Sequence, residues 1–496
     1  MKKNQSKLIV LFLSIIMVFS IVCSSAYATE SKISREDVKK AAEKTIKYYH
    51  DTYKDKQYAG ILDWPALGLF GFGEDVSGPK WTVNGKNGAY WREQQVKEAK
   101  LEPGYYDNAL RSGVNTDYQR TIIAVCAAGK DPRNFGGKNL VEIEKSTMLP
   151  SGHFADSVMD NDTGKPVGED LVNAHIFGII ALHCAGEPIP NRDMCLYWLE
   201  DQQNLDGGFT FDVKYFDDPE DYDLVESDVD MTAAGIMALA ILGEDESNPC
   251  VKKALDFLHS KQLDNGGFES WGTVNPESCA WAIQAIKLIG QDPMGSEWTT
   301  KSGENPVSAM LKFQIKDGSF VHVLNEEDNL PIYSNGMSTE QALYGMADAY
   351  NKKATYDLLF EKYRPTAEKH LFKDFKPGQF GFKKTADLIY NYIIAIDENG
   401  NFQPNEPIKK EEVSKWMKKA FDLKEVISID KDTVTGEEFM GLLVKALGEE
   451  KEGKPSEILE IAKEKGWMYP EFDPQKIVNK AQCAWTLRQI RNISHQ

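Results

Sequence analysis

The sequence predicts an all-α protein built from repeated helical hairpins. A turn of the form Gln-x-x-Asp/Asn-Gly-Gly/Ser-Phe follows an apolar helical stretch three times, at residues 203–209, 262–268 and 314–320. A second kind of helix, rich in alanine and isoleucine, recurs between the turns and ends on a glycine. Glycine just past a helix is typical of a left-handed C-cap. Because the two patterns alternate at a spacing of 59 and then 52 residues, each unit is predicted to be a hairpin of two helices.

The two helices of a unit differ in their polarity. The alanine-rich and isoleucine-rich helices are apolar nearly all round, as buried helices are, and they end at Gly129, Gly186, Gly243 and Gly290. The other helices, such as residues 251–258, keep a charged face. One helix per unit is therefore predicted to lie inside and one outside. Stacked hairpins of this kind form either an open solenoid or a closed ring, and periodicity alone does not choose between them.

The turns and their register resemble the repeat of squalene-hopene cyclases, protein prenyltransferase β subunits and the cobalamin carriers intrinsic factor and transcobalamin. The resemblance covers roughly residues 117–350. It implies an α/α toroid, in which inner helices form a barrel ringed by outer helices, over residues 34–365. It implies no single activity, because these families perform different functions on one scaffold.

The N-terminus has the pattern of a secretory signal peptide. A lysine-rich start is followed by an apolar run over residues 8–23 and by Ala-Tyr-Ala, so cleavage is expected after Ala28. The mature chain is expected to be secreted to the cell surface or cell wall. No second long apolar run occurs, so an integral membrane protein is not expected. Cleavage would change the formal charge from −19 to −22, which makes nucleic acid an unlikely partner.

The C-terminal part, residues 370–496, resembles two or three degenerate S-layer homology (SLH) modules. The module helix at residues 408–417 recurs at 434–443 and again at 478–484. In that family an arginine near the helix start helps to anchor exported proteins to acidic cell-wall polymers. The position of this arginine holds Lys410, Gly436 and Lys480 here. Lysine imitates a guanidinium only as a point charge, and glycine does not imitate it at all. The resemblance therefore implies a small helical domain, with wall binding and simple helical packing both left open.

Four residues stand thirteen positions before the glycines that end the inner helices, and they are Thr116, Asn173, Asp230 and Glu277. Three of them are of types that help to start helices, so helix capping is the favoured interpretation. If the barrel is closed, all four are expected to circle one of its mouths. Polar groups above an apolar chamber suit a small amphipathic or isoprenoid-like ligand.

The segment from Glu226 to Ala233 resembles the Asp-x-Asp-Asp-Thr motif of class II terpene cyclases, whose middle aspartic acid protonates an alkene. Asp228 and Asp230 match the first two acids, and Met231 replaces the third. The resemblance implies a cyclase-like enzyme with Asp230 as general acid, which is the second hypothesis. The favoured hypothesis is a non-catalytic binding or scaffold protein.

No metal or cofactor is predicted. Glu277-Ser278-Cys279 is similar to the Asp-x-Cys zinc pair of prenyltransferases, but residues 337–342 contain no histidine to complete three ligands. Cys279 and the other five cysteines after residue 28 are predicted to be free thiols in the core. The acidic segment 217–223 lacks the spacing of a calcium loop and is predicted to be a solvated face.

Overall fold

The computed structural model describes residues 31–53, 59–98, 110, 113–160, 162–213, 226–270, 272–324, 333–397, 399–425, 427–449 and 455–494. The predicted signal peptide and the acidic segment 217–223 lie outside these residues. The described part is almost entirely helical, with one two-stranded antiparallel sheet of β1 (Glu269–Ser270) and β2 (Thr273–Val274), so the all-α prediction is confirmed. The chain forms two compact units, Met1–Ala185 with Ile189–Phe360, and Gly186–Pro188 with Glu361–Gln496.

The helices of the first unit alternate between an inner and an outer position. In chain order they are α1 (Arg35–Tyr53), α2 (Trp64–Gly71), α3 (Gly88–Glu98), α4 (Asn115–Ala127), α5 (Leu140–Ser146), α6 (Val172–Cys184), α7 (Arg192–Asp201), α8 (Val229–Ile241), α9 (Pro249–Lys261), α10 (Pro276–Leu288), α11 (Pro306–Leu311), α12 (Gly336–Tyr350) and α13 (Thr355–Ala367), which begins in this unit. Short 3₁₀ helices lie at Ala59–Leu62, Pro79–Trp81 and Pro132–Asn134.

The even-numbered helices from α2 to α12 form a closed ring. Each packs on the next, and α12 packs on α2, so the predicted closed toroid is confirmed. Small residues allow the last pair to approach closely, since a Cβ added at Gly68 would lie 2.6 Å from Leu343 and one at Gly71 would lie 2.5 Å from Ala347. This register also shows that α2 and α12 run parallel. Helices α1, α5, α7, α9 and α11 pack against the outside of the ring.

The repeated turns join each helical hairpin of the toroid to the hairpin that follows. The side-chain amide of Gln203 donates a 2.8 Å hydrogen bond to Cys250 O, at the start of α9, and that of Gln262 donates one to Trp298 O, just before α11. The corresponding amide of Gln314 reaches Ala41 O, in α1, at the same distance. The third turn therefore docks on α1, the first outer helix. The junction between the last and the first helical hairpin, which we call the seam, thus uses the same contact as the other junctions of the ring.

The glycine at the centre of each turn is required by this docking. Gly207, Gly266 and Gly318 have φ of 90°, 83° and 94°. A Cβ at Gly266 would lie 2.5 Å from Asn305 N, and one at Gly318 would lie 2.4 Å from Lys44 O. Both the backbone conformation and the close approach exclude a side chain at these positions.

The cysteines of the described residues are buried, and none of them forms a disulfide bond, as predicted. Those in the described residues are Cys126, Cys184, Cys195, Cys250, Cys279 and Cys483. Within the described residues, no helix has the length and apolar character needed to cross a membrane.

The second unit contains helices α14 (Phe382–Tyr390), α15 (Lys410–Phe421), α16 (Gly436–Ala446), α17 (Pro455–Glu464) and α18 (Lys480–Ser494). Helices α15, α16 and α18 begin at the three positions compared with the arginine of SLH modules. The residues before them form isolated bridges with one another, which are Lys409 with Thr433, Thr435 with Ile477, and Pro407 with Asn479. The three helix starts therefore surround one point, while the SLH resemblance itself stays a prediction.

Candidate binding site at the mouth of the toroid

The four residues predicted from the glycine spacing lie at one level, in the first turn of four inner helices. Each is the second residue of its helix, in α4, α6, α8 and α10 respectively. We call Thr116, Asn173, Asp230 and Glu277 the polar ring, and the end of the barrel that they occupy the mouth.

The interpretation of these residues as helix caps is wrong. The N-cap of α8 is Asp228, whose side chain accepts a 2.7 Å hydrogen bond from Met231 N. The N-cap of α10 is Asn275, which accepts one from Ser278 N at the same distance. The helices begin two residues earlier than the capping interpretation requires, so the side chains of Asp230 and Glu277 are not used to hold the helix ends.

Glu277 is almost completely buried, with 4% of its surface exposed. Its Oε1 accepts a 2.5 Å hydrogen bond from the Ser338 hydroxyl of α12 and lies 3.0 Å from His322 Nδ1. Its Oε2 is buried without a hydrogen-bond partner among the described residues. One oxygen of this carboxyl is therefore fixed by the protein and the other is left to accept a further donor.

Asp230 lies beside Glu277 and is also incompletely satisfied. Its Oδ1 is buried and has no hydrogen-bond partner in the described part of the chain. Burial raises the pKa of Asp230 to about 7, and repulsion from Asp228 and Glu277 adds to the shift, while the hydroxyls of Ser278 and Ser270 oppose it. Burial also raises the pKa of Asp228, against the hydrogen bond from Met231 N. The structure thus brings Asp228, Asp230 and Glu277 together.

Thr116 and Asn173 occupy the matching positions on α4 and α6, and both are partly exposed. The Oδ1 of Asn173 is buried and lacks a hydrogen-bond partner among the residues described. These two side chains therefore belong to the same level of the barrel as the acids, on its other helices.

Four aromatic side chains meet inside the barrel: Phe177 and Trp281 stand one turn past Asn173 and Glu277, Trp64 is the first residue of α2, and Tyr344 lies in the middle of α12. The ring centroids of Trp64 and Phe177 are 5.7 Å apart, those of Phe177 and Trp281 6.0 Å, those of Trp281 and Tyr344 6.5 Å, and those of Tyr344 and Trp64 6.3 Å. Helices α2, α6 and α10 are not neighbours in the ring, so these contacts cross the interior. We call this cluster the aromatic floor.

Sequence reasoning missed the aromatic floor. Phe177 and Trp281 stand four residues after Asn173 and Glu277, which places them on the same helix face one turn further on. From this spacing the sequence could have predicted that Phe177 and Trp281 lie beneath the polar ring. Trp64 and Tyr344 carry no such signal, because they reach the floor only through closure of the ring.

A second charged group lies on the opposite side of the mouth, and it too was missed. Asp63 Oδ2 accepts a 2.8 Å hydrogen bond from Arg92 Nη2, and Asp63 Oδ1 lies 3.1 Å from Arg120 Nε. Burial raises the pKa of Glu340 to about 8, with repulsion from Asp63 adding to the shift and attraction to Arg120 opposing it. The positive charge of this side is thus balanced by carboxyl groups close to it.

The residues considered for zinc do not assemble into a metal site. Cys279 is fully buried, and burial raises the pKa of its thiol to about 12. Within the described residues, no group of three or more His, Cys, Asp or Glu side chains has an arrangement that could hold a metal ion.

Residues 175–272, which run from α6 to the β1–β2 sheet, match the family described as the squalene-hopene cyclase C-terminal domain. This segment supplies two of the six helices of the closed ring. The closed ring of inner helices with outer helices around it makes the first unit an α/α toroid.

Solved structures with likeness to the toroid have different descriptions. Candida albicans protein geranylgeranyltransferase-I complexed with GGPP is 12% identical, with 62% of this chain and 91% of that chain covered and a TM-score of 0.44. Type II terpene cyclase MstE from Scytonema is 11% identical, with coverage of 64% and 99% and a TM-score of 0.42. A possible member of the GH105 family from Salmonella enterica is 11% identical, with coverage of 64% and 95% and a TM-score of 0.38.

No curated protein matches the chain. The comparisons therefore concern the fold of the toroid. Its function is inferred from the residues at the mouth.

Proposed function

We propose that the toroid is a non-catalytic binding protein, and that its mouth holds a small amphipathic ligand between the polar ring and the aromatic floor. The observation that carries the proposal is the floor itself. Phe177 contacts both Trp64 and Trp281 across the barrel, at centroid separations of 5.7 and 6.0 Å, and it stands only one helical turn past Asn173, so the cluster restricts the space beneath the polar ring. Polar groups at a rim above apolar and aromatic surface are typical of small-molecule sites.

The alternative, a cyclase-like enzyme with Asp230 as general acid, has less support. Protonation of an alkene requires a strong acid, whereas burial raises the pKa of Asp230 to about 7 and makes it a weak one. Met231 stands where the cyclase motif has its third acid. A shallow mouth also leaves little room to fold a long polyprene. An isoprenoid-like tail remains one candidate for the apolar part of the ligand.

We further propose that the protein is exported and acts at the cell surface, where the second unit holds it at the wall. The proposal rests on the pattern of residues 1–28 and on the three helix starts around one point. A concavity of about 540 Å³ on α15 is lined by Lys410, Lys415, Lys418 and Lys419, which suits an acidic polymer. Lys480, however, lies 2.8 Å from Glu412, so that this cation is already paired within the unit.

Native mass spectrometry of the protein purified from its own host would test the binding function. We expect a retained mass that is released on unfolding. For the purified apo-protein, quenching of tryptophan fluorescence by an added amphiphile should weaken in Trp281→Leu, which removes part of the floor, and persist in Trp485→Leu, a matched change in the second unit. Turnover of a polyprene by the wild-type protein, abolished in Asp230→Asn, would instead establish the enzyme.

A further inference from the structure

Three buried hydrogen-bond acceptors at the mouth have no donor among the described residues. Asp230 Oδ1, Glu277 Oε2 and Asn173 Oδ1 are all buried and unpartnered among the described residues. Folded proteins satisfy nearly all of their buried polar groups, so such atoms at a cavity point to a missing partner. Because all three are acceptors, that partner must bring N–H or O–H donors.

The charge of this side of the mouth is negative. Asp228, Asp230 and Glu277 lie together, and the nearby His322 faces the Glu277 oxygen that is already bonded to Ser338. Arg120 lies across the mouth and is engaged by Asp63 and Asp117 at 3.1 and 3.2 Å. An anionic group at the unpartnered oxygens would be repelled, whereas a cation there would be attracted by at least two carboxylates.

The aromatic floor adds a second kind of attraction for a cation. Tryptophan, tyrosine and phenylalanine rings attract an ammonium group through the negative potential of their faces. Trp64, Phe177 and Trp281 remain partly exposed although they lie on buried helices, so part of each ring is accessible from the mouth. Carboxylates at the rim with aromatic rings beneath them therefore form a receptor for a positively charged nitrogen.

We propose that the mouth selects an amphipathic ligand whose head group is a protonated amine, held by Asp230 and Glu277 above the aromatic floor. This inference rests on the proposed binding function and specifies its ligand class. An organic cation is favoured over a metal ion because the acids here do not form a cluster with metal-binding geometry in the described part of the chain.

The test compares three amphiphiles that share one tail and differ in head group. Decylammonium, decyl maltoside and decyl sulfate would be titrated into the full-length protein by calorimetry, each below the concentration at which it forms micelles. We expect the cation to bind at least about tenfold more tightly than the neutral compound, and the anion to bind most weakly. Calcium and magnesium chloride would be titrated separately.

Glu277→Gln and Asp230→Asn should each reduce the preference for the cation over the neutral compound by about fivefold or more, since each keeps the side-chain shape and removes a negative charge. Asp256→Asn is the matched control, because this acid lies on the outer helix α9 with 65% of its side chain exposed, and it should leave the preference unchanged.

The outcomes separate the two proposals. If none of the three amphiphiles binds, the proposed function fails. If the neutral or anionic compound binds as well as the cation, the binding function stands and the ammonium inference is overturned. Binding of calcium or magnesium that depends on Asp230 and Glu277 would also overturn it.

Discussion

Asp230 illustrates how a single side chain at the mouth reduces stability. Its carboxyl is buried, lacks a partner for Oδ1 and lies close to two other acids, and its pKa is raised from 3.8 to about 7. A raised pKa in the folded state means that the folded protein holds the proton more strongly than the unfolded chain does. The contribution to the free energy of unfolding is therefore greatest below about pH 4 and falls as the pH rises towards about 7. Retention of such a residue is typical of functional sites.

Asp230→Asn is expected to increase the free energy of unfolding at pH 8 by about 1 to 3 kcal/mol, because it removes an ionised carboxylate from a buried and repulsive position. At pH 4 the wild-type side chain is already protonated, and the two proteins should have nearly equal stability. Urea unfolding of both proteins at the two pH values would measure the difference. A stability loss at pH 8 would contradict this assignment.

Asp228→Ala provides the contrast to that change. It removes the side chain that accepts the hydrogen bond from Met231 N, and loss of such a cap costs about 1 kcal/mol. The single-residue comparison thus separates the residue that starts α8 from the residue that faces the ligand.

Cation binding at the mouth should become stronger as the pH rises through about 7. The cation prefers the ionised form of Asp230, and the groups that act on this carboxyl are Asp228 on its own helix, Glu277 and Ser278 on α10, and Ser270 on β1. We expect the affinity for decylammonium to rise between pH 5.5 and pH 8 and then level off, with release of up to one proton on binding near pH 7. Calorimetry in two buffers of different ionisation enthalpy would measure that proton. In Asp230→Asn the rise should flatten, and an unchanged pH profile in this variant would assign the effect to another group.

At the scale of the element, the sequence predicted the helices and turns well and their exact beginnings poorly. The repeated glycines define where each inner helix ends because a left-handed residue is needed there. Both Asp228 and Asp230 are good capping residues, so the sequence contained no basis for choosing between them, and the structure selects the earlier one. Two members of the aromatic floor, Trp64 and Tyr344, were beyond sequence reasoning because they meet only after 280 residues of chain have closed into a ring.

Gly266, in a repeated turn, and Gly243, at the end of α8, offer a matched pair of substitutions. Gly266→Ala places a Cβ 2.5 Å from Asn305 N in addition to the strain of a positive φ, whereas Gly243→Ala has the same kind of φ and no atom within 4 Å. The strain alone costs roughly 1 to 2 kcal/mol. We expect Gly243→Ala to lose about that amount and Gly266→Ala to lose about 2 kcal/mol more, because docking of the next unit is disturbed. Thermal or urea unfolding would measure both, and equal losses would show that docking does not depend on this approach.

At the scale of the whole molecule, closure of the ring makes the first and last helical hairpins of the toroid neighbours. Gln314 donates to Ala41 O at 2.8 Å and to Thr45 Oγ1 at 3.0 Å, and Thr45 Oγ1 donates to Gly318 O at 2.7 Å. Arg35 of α1 also forms a 2.7 Å ion pair with Asp292, which follows α10. The seam is therefore as well bonded as the joints within the chain.

Gln314→Ala, at the seam, is expected to lower the stability of the toroid by about as much as Gln203→Ala or Gln262→Ala, roughly 1 kcal/mol each, because every unit of a closed ring has two neighbours. Urea unfolding followed by tryptophan fluorescence and by circular dichroism should give coincident transitions for the three variants over the part assigned to the first unit. A much smaller effect of Gln314→Ala, or early unfolding confined to α1, would indicate that the ring behaves as an open array.

The docking of the third turn on α1 also has a consequence for how the chain folds. During synthesis α1 leaves the ribosome before its partners in α11 and α12, which follow only after about 270 further residues. Contacts between such distant parts of a chain form late and slowly, because a long loop must close before they are gained. Until then the apolar face of α1, which includes Val38, Ala42 and Tyr49, has no surface to cover it. Helix α1 is thus made long before it is buried, and it is a segment on which a chaperone would have a long time to act.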